Sequence, residues 1–220
     1  MKISAIIPAL NEESVIENSL RSLSAARPYE IIVVDGGSVD ATVRIAERFA
    51  RVLSCEKGRA LQMNAGAQKA TGDVLLFLHA DTCLPEDGLG LIRQALEKNR
   101  DAGRFRVSFD APDFLLRCFA FYTRFHAFSY GDQAFFLRRN LFESLGGFDP
   151  VVPFEDIEFY KRLRRKTHPI ILPQAVITSA RRFRQAGSMK QKWINLLLVA
   201  LYHAGIDIFP LKRKWYPDVR

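Results

Sequence analysis

With 220 residues, 48% of them hydrophobic, the chain can bury one large core, which argues for one domain instead of two. A formal net charge of +8 and a pI near 9.6 point to anionic partners, whether nucleotide phosphates, nucleic acid or acidic lipid headgroups. Three scattered cysteines, Cys55, Cys83 and Cys118, form no C-x-x-C pair, which argues against a disulfide framework or a zinc site and fits a reducing cytoplasm.

The apolar run at the start, Ile3 to Ile7, is too short for a signal peptide and reads as a first strand stopped by Pro8. Val15, Ile16, Ser19, Leu20 and Leu23 fall at helical spacing and predict a helix over 12–25. A β-branched run over 30–35 predicts the second strand; Gly36-Gly37-Ser38 and a helix over 40–49 follow it. The unit then repeats, with a short strand over 51–54, a helix over 59–70 and a strand over 74–78. Such alternation implies right-handed crossovers and a mostly parallel sheet.

After a helix over 89–98 the rhythm changes. Phe105, Val107 and Phe109 alternate with Arg104, Arg106 and Ser108, the period-2 pattern of a strand with one wet face. The stretch 113–130 is crowded with phenylalanine and reads as a helix or lid over the site. A strand over 133–138, a short helix over 141–145, a tight turn over 146–150 and a helix over 155–165 complete the order, the last running from acids to bases as a helix dipole favours. Seventeen phenylalanines serve a core or a sugar- or lipid-facing surface equally well. No segment has the length of a membrane span.

Three acidic points stand out. The run Val74-Leu75-Leu76-Phe77-Leu78-His79-Ala80-Asp81-Thr82 is a buried strand that delivers Asp81 to the carboxyl edge of the sheet, where open α/β sheets bind ligands. There Asp81 holds a divalent cation or a sugar hydroxyl, or only caps the turn before Pro85. Asp35 ends the second strand, and placing the two strands side by side brings both aspartates into one crevice; Gly36 and Gly37 let backbone approach a ligand, or simply make a turn. Glu155-Asp156 opens a helix, where a carboxylate takes a proton from an acceptor hydroxyl or balances the dipole.

In order along the chain, Ile6-Ile7-Pro8-Ala9-Leu10-Asn11-Glu12, Val33-Val34-Asp35-Gly36-Gly37-Ser38 with Asp40 and Thr42, Lys57-Gly58, Asn64 and Gly66, the 72–81 run, Gly146-Gly147-Phe148-Asp149 and Glu155-Asp156 resemble the inverting glycosyltransferases of family 2, which have the GT-A fold. The resemblance implies one α/β domain over 1–220, with a nucleotide-sugar half at 1–100, an acceptor and catalytic half at 101–185 and a helical tail at 186–220. It implies that Pro8, Ala9, Leu10, Glu12, Asp35, Gly36, Lys57, Arg59 and Asn64 grip the donor nucleotide, with His79 and Ala80 beside them. It makes Asp81 the ligand of Mg2+ or Mn2+ bridging the diphosphate of a donor, UDP-linked first, and Asp156, with Glu155, the base that deprotonates a hydroxyl acceptor. Where the family carries an acidic pair this chain has Asp35-Gly36, and its D-x-D is His79-Ala80-Asp81, so His79 or His203 is a candidate to assist the metal.

More narrowly, His79-Ala80-Asp81-Thr82, Gly131-Asp132-Gln133, Phe154-Glu155-Asp156 and Ser179-Ala180-Arg181-Arg182 resemble a short bacterial subgroup associated with radical-SAM, selenium and arsenosugar gene neighbourhoods. That likeness puts Gly131, Asp132 and Gln133 on the acceptor side. Arg181 and Arg182 either clamp the diphosphate or form a solvated basic patch. The apolar stretch Trp193 to Tyr202, with basic residues on both sides in 190–214, reads as a core helix, an interfacial helix touching membrane, or a homodimer contact. Two rivals remain: a nucleotidyltransferase, although Pro8-Ala9-Leu10-Asn11-Glu12 lacks a glycine-rich basic loop, and a non-enzymatic basic module on nucleic acid or membrane, although scattered basic residues count against nucleic acid.

Overall fold

The computed structural model describes residues 1–186 and, beyond them, 197, 198, 201, 206, 208 and 211. The first half alternates β1 (Ile3–Ala9), α1 (Ile16–Ala25), β2 (Glu30–Asp35), α2 (Thr42–Ala46), β3 (Arg51–Ser54), α3 (Arg59–Lys69) and β4 (Val74–Phe77). The second half adds β5 (Thr82–Cys83), α4 (Gly88–Glu97), β6 (Ala102–Phe109), α5 (Phe114–Tyr122), a 3-10 turn (Gly131–Gln133), β7 (Phe136–Arg138), α6 (Arg139–Ser144), α7 (Glu155–Lys166), β8 (Ile170–Thr178) and α8 (Arg181–Ala186).

One sheet of order β3-β2-β1-β4-β7-β6-β8-β5 runs through the described residues. It is parallel across β3-β2-β1-β4, antiparallel from β4 through β7 to β6, parallel between β6 and β8, and antiparallel to β5. β1 is buried along its whole length because helices cover both of its faces, as a continuous apolar run requires. Ile3, Ala5, Ile7 and Ala9 join α1 and α4 in one apolar layer, whereas Ile6 joins α3 and α7 in the other. α3 reaches the sheet through Gly66, where a Cβ would stand 2.4 Å from Ile6 Cγ2, so any side chain there would lift the helix.

Several expectations need correction. β2 and β4 are not neighbours: β1 lies between them and pairs with both, so Asp35 and Asp81 stand on either side of the β1 tip. The wet face expected on β6 is covered at Arg104, while Arg106 and Ser108 stay half-exposed. Arg104 is fully buried and donates to the carbonyls of Thr123 at 2.7 Å and Phe125 at 2.9 Å, because the segment after α5 folds over it. α2 is shorter than 40–49, and Gln133 belongs to the 3-10 turn instead of β7. β8 had no strand reading; Pro173 and Gln174 interrupt its pattern and sit in a bulge, since Phe105 pairs with Leu172 and Arg106 with Ala175. The predicted helix over 193–202, His203 and the basic residues of 190–214 lie outside the described residues, apart from isolated positions.

Candidate active site

The carboxyl ends of β1 and β2 are laced into one rim. Gln62, fully buried on α3, donates through Nε2 to the carbonyls of Ala9 and Val34, each at 2.8 Å, and so locks the two strand tips together. The Asp35 carboxylate accepts from the backbone of Gly37 at 2.9 Å and Ser38 at 3.0 Å, which shapes the loop after β2 around the buried side chain. Across the gap, Asn11 exchanges bonds with Ser38 and Val39, and Glu12 N donates to Thr42 Oγ1 at 2.7 Å. The buried Glu12 carboxylate takes Arg181 Nη2 at 2.7 Å, while Arg181 Nη1 reaches Ser14 Oγ at 2.9 Å. Arg181 is thus tied to the β1 rim from the far end of the sequence.

Beside this rim lies an acidic basin. Burial works to strip charge from the Arg59 guanidinium, but Glu155, Asp156, Asp132 and Asp81 outweigh it and raise its pKa. Four carboxylates from the end of β4, the 3-10 turn and the start of α7 therefore face one arginine at the start of α3. Arg59 Nη1 meets Glu155 Oε1 at 3.3 Å. Asp156 Oδ2 accepts from Gly131 N at 2.6 Å and Oδ1 from Ile157 N at 2.8 Å. A Cβ on Gly131 would stand 3.0 Å from His79 Nε2 and 3.2 Å from Asp156 Oδ2, so a side chain there would push both by a few tenths of an ångström.

Asp132 is the outlier of the basin. Burial, then the charges of Asp156 and Asp81, push its carboxyl up to about 7, and its Oδ1 is buried with no hydrogen-bond partner among the described residues. Tyr130, stacked on Phe119, is pushed up to about 12 by burial and then by Asp132 and Asp156, which keeps its hydroxyl protonated. Asp81 is half-buried at the mouth and lines a cavity of ≈ 390 Å³ together with Ser14, Cys83, Asp110, Arg181 and Arg184. Among the described residues no three His, Cys, Asp or Glu side chains converge as a ready metal cage.

The structure thus gathers Asp81, Asp132, Glu155, Asp156, Arg59, Gly131 and His79, with Pro8, Ala9, Leu10, Glu12, Asp35, Gly36 and Arg181 along the adjoining rim. Ala80 is fully buried behind Asp81, and its carbonyl accepts from Ser19 Oγ at 2.6 Å. Lys57 is exposed. Asn64 faces away from the rim in its bonding: its amide donates to the Phe148 carbonyl at 2.7 Å and accepts from Phe148 N at 2.9 Å, fastening the glycine turn to α3. Gln133 is buried and donates to the Phe128 carbonyl at 2.7 Å. The side chain of Arg182 lies outside the described set. Gln62 escaped sequence reasoning, since a helical glutamine carries no signature until the strand ends beneath it are known.

Comparison with known proteins fits this arrangement. The family described as Glycosyl transferase family 2 matches residues 4–146. A probable glycosyltransferase of Bacillus subtilis, YdaM, is 28% identical over 209 residues, covering 80% of this chain and 50% of its own length. A PGL/p-HBAD biosynthesis glycosyltransferase of Mycobacterium bovis is 40% identical over 93 residues, 38% of this chain and 36% of its own length. The chain thus spans half or less of these curated relatives. Among solved structures, Staphylococcus aureus TarS residues 1–349 superpose with a TM-score of 0.66 at 20% identity, covering 82% of this chain and 61% of that one. A Pyrobaculum calidifontis mannosyltransferase in complex with GDP-Man and Mn2+ gives 0.62 at 23% identity, covering 81% and 56%. These likenesses show a GT-A fold, and the family match over 4–146 shows that the chain belongs to glycosyl transferase family 2.

Proposed function

We propose that the chain transfers a sugar from a nucleotide-diphosphate donor, a UDP-sugar first, to a hydroxyl acceptor with inversion at the anomeric carbon. Residues 1–100 supply the donor half and 101–185 the acceptor half. The observation that carries this reading is the pairing of Arg59 with Glu155 at 3.3 Å beside Asp156, which Gly131 of the 3-10 turn holds at 2.6 Å, next to a rim whose loops are already knitted together. Structures similar in fold hold such donors: TarS in complex with UDP-GlcNAc, and the archaeal mannosyltransferase with GDP-Man.

Asp156 is the base in this scheme. Two backbone N–H groups fix its carboxylate, and each oxygen keeps a lone pair for the proton of the acceptor hydroxyl. As that oxygen bonds to the anomeric carbon, the bond to the diphosphate breaks on the opposite face and its electron pair leaves with the nucleoside diphosphate. Arg181, oriented by Glu12 and Ser14 on the cavity that Asp81 also lines, meets the leaving charge. Asp81 suits a cation that draws its remaining ligands from phosphate and water, as Mg2+ commonly does, and Mg2+ or Mn2+ there would neutralise charge on the diphosphate. The orphaned Asp132 Oδ1 is a second oxygen of the right chemistry in the same basin. The finer placement in the radical-SAM-associated subgroup rests on the four short motifs, of which the 79–82, 131–133 and 154–156 runs contribute to this basin.

A thermal-shift panel of UDP-, GDP- and dTDP-sugars with and without Mn2+ tests the reading, because ligand-linked stabilisation reports donor choice without an acceptor. A UDP-sugar is expected to raise the melting temperature, more so with Mn2+, and Asp81→Ala to abolish the Mn2+ increment. No stabilisation by any donor would overturn it.

A further inference from the structure

From 114 to 130 the chain carries five phenylalanines and two tyrosines, Arg117, Arg124 and His126, and not one carboxylate. A nine-residue helix this apolar normally turns a face into the core, yet Leu116 alone in α5 is buried. Phe114 is 74% exposed, Phe121 48%, Tyr122 49% and Phe125 49%. Four rings form one surface, with Phe114 exposed at the start of the same helix: Phe121 lies 5.9 Å from Tyr122 and 6.1 Å from Phe125, and Tyr122 lies 5.3 Å from Phe128. This is the kind of contiguous apolar patch that a monomeric protein seldom leaves in water.

The patch is held outward. Arg104 grips the Thr123 and Phe125 carbonyls from beneath, while Thr123 Oγ1 accepts from Val107 N at 3.1 Å and donates to the Ala120 carbonyl at 2.7 Å. Its charge is mainly basic, with the carboxylate of Asp113, which caps α5, at its edge. Arg117 and Arg124 are exposed among the rings, and next to them a groove of ≈ 500 Å³ is lined by His126, Ser129, Tyr160, Lys161, Arg164 and Arg165. We infer that this aromatic and basic face, α5 with its following turns, docks the protein on an anionic membrane surface. Rings sink into the headgroup boundary while arginines meet lipid phosphates, the two contributions that peripheral anchors combine. Single-stranded nucleic acid fits less well: bases need open ring faces, whereas these rings mostly pack edge to face and Arg124 already covers Phe121 at 3.9 Å. The face runs directly into Gly131, which is bonded to Asp156, so on the transferase reading a docked molecule presents its acceptor side to lipid. The docking itself does not depend on that reading.

Flotation with vesicles of phosphatidylcholine alone, or with phosphatidylglycerol as roughly a third of the lipid, tests the inference. The full chain is expected to float with the phosphatidylglycerol vesicles, less so in high salt. Phe114→Ser/Phe121→Ser/Phe125→Ser and Arg117→Glu/Arg124→Glu are each expected to lower partitioning by about tenfold or more, with donor-induced stabilisation unchanged. Phe114→Ser alone, at the most exposed ring, gives a smaller loss if the triple variant folds poorly. Absence of flotation, equal flotation with both lipids, retention by the variants, capture of single-stranded RNA instead, or a wild-type dimer that the serine variants split would each overturn it. Failure of donor binding alone would leave it standing and overturn the transferase reading.

Discussion

On the rim formed by the β1 and β2 tips the polar side chains are taken up by the chain itself: Asp35 by Gly37 and Ser38, Glu12 by Arg181, Gln62 by two strand-end carbonyls. In the acidic basin, Asp132 Oδ1 and Arg59 Nε have no hydrogen-bond partner among the described residues, nor does Gln133 Oε1 at the end of the 3-10 turn. The rim is therefore a finished frame, and the basin carries polar groups that folding alone does not satisfy. Buried orphans of this kind are costly, at about 1–3 kcal/mol each, and concentrate where a ligand completes them. On the proposed function, the difference separates polar groups that the fold has already paired from those left for a ligand to complete.

The sharpest way to break that division is Asp156→Asn. The amide keeps the shape and can still accept from Gly131 N, although its NH2 then faces Ile157 N and should cost about 1–3 kcal/mol of stability, so donor stabilisation should persist while transfer falls by about 10²–10⁴-fold. Turnover within a few-fold of wild type would remove Asp156 from the base role. Arg59→Leu should fail in the opposite sense. It strips the cation from Glu155, Asp156, Asp132 and Asp81 and should cost about 3–5 kcal/mol of stability at pH 8, part of it recovered on acidification as carboxyls protonate. A denaturant titration at two pH values reads both quantities. On the rim, Gln62→Leu leaves the Ala9 and Val34 carbonyls without their donor and should cost about 2–4 kcal/mol, with donor binding lost together with the fold and not selectively. A Gln62→Leu protein that melts normally but binds no donor would move Gln62 from the frame to the site.

The same contrast explains what was legible in the sequence. β1, β2 and β4 read cleanly because parallel strands covered on both faces are unbroken apolar runs, and each hands its terminal acid or turn to the edge. The order in which the strands stand was not legible: nothing local in Glu30–Asp35 or Val74–Phe77 says that β1 lies between them. Arg104 misled because alternation reports two faces of a strand without saying what covers them, and here a loop twenty residues on does so. β8 was hidden by Pro173, which sits in a bulge where the ladder is already interrupted. Asp132 entered only through the family resemblance; its isolation in the basin is a product of burial, which a three-residue motif does not encode.

Asp132 also gives the smallest and most specific test of the comparison. Its carboxyl is pushed from an ordinary 3.8 to about 7 in the folded chain, so between those values the folded protein holds a proton that the unfolded chain has released. The contribution of Asp132 to stability must then fall as pH rises through that window, and above it the folded state bears the cost of a buried carboxylate among Asp156 and Asp81. Asp132→Asn cannot titrate. With no divalent cation added, its melting temperature should match wild type near pH 4 and exceed it by a growing margin up to pH 8. Parallel melting curves for the two proteins across that range would mean that Asp132 is solvated or paired in solution, and the basin would then be as finished as the rim.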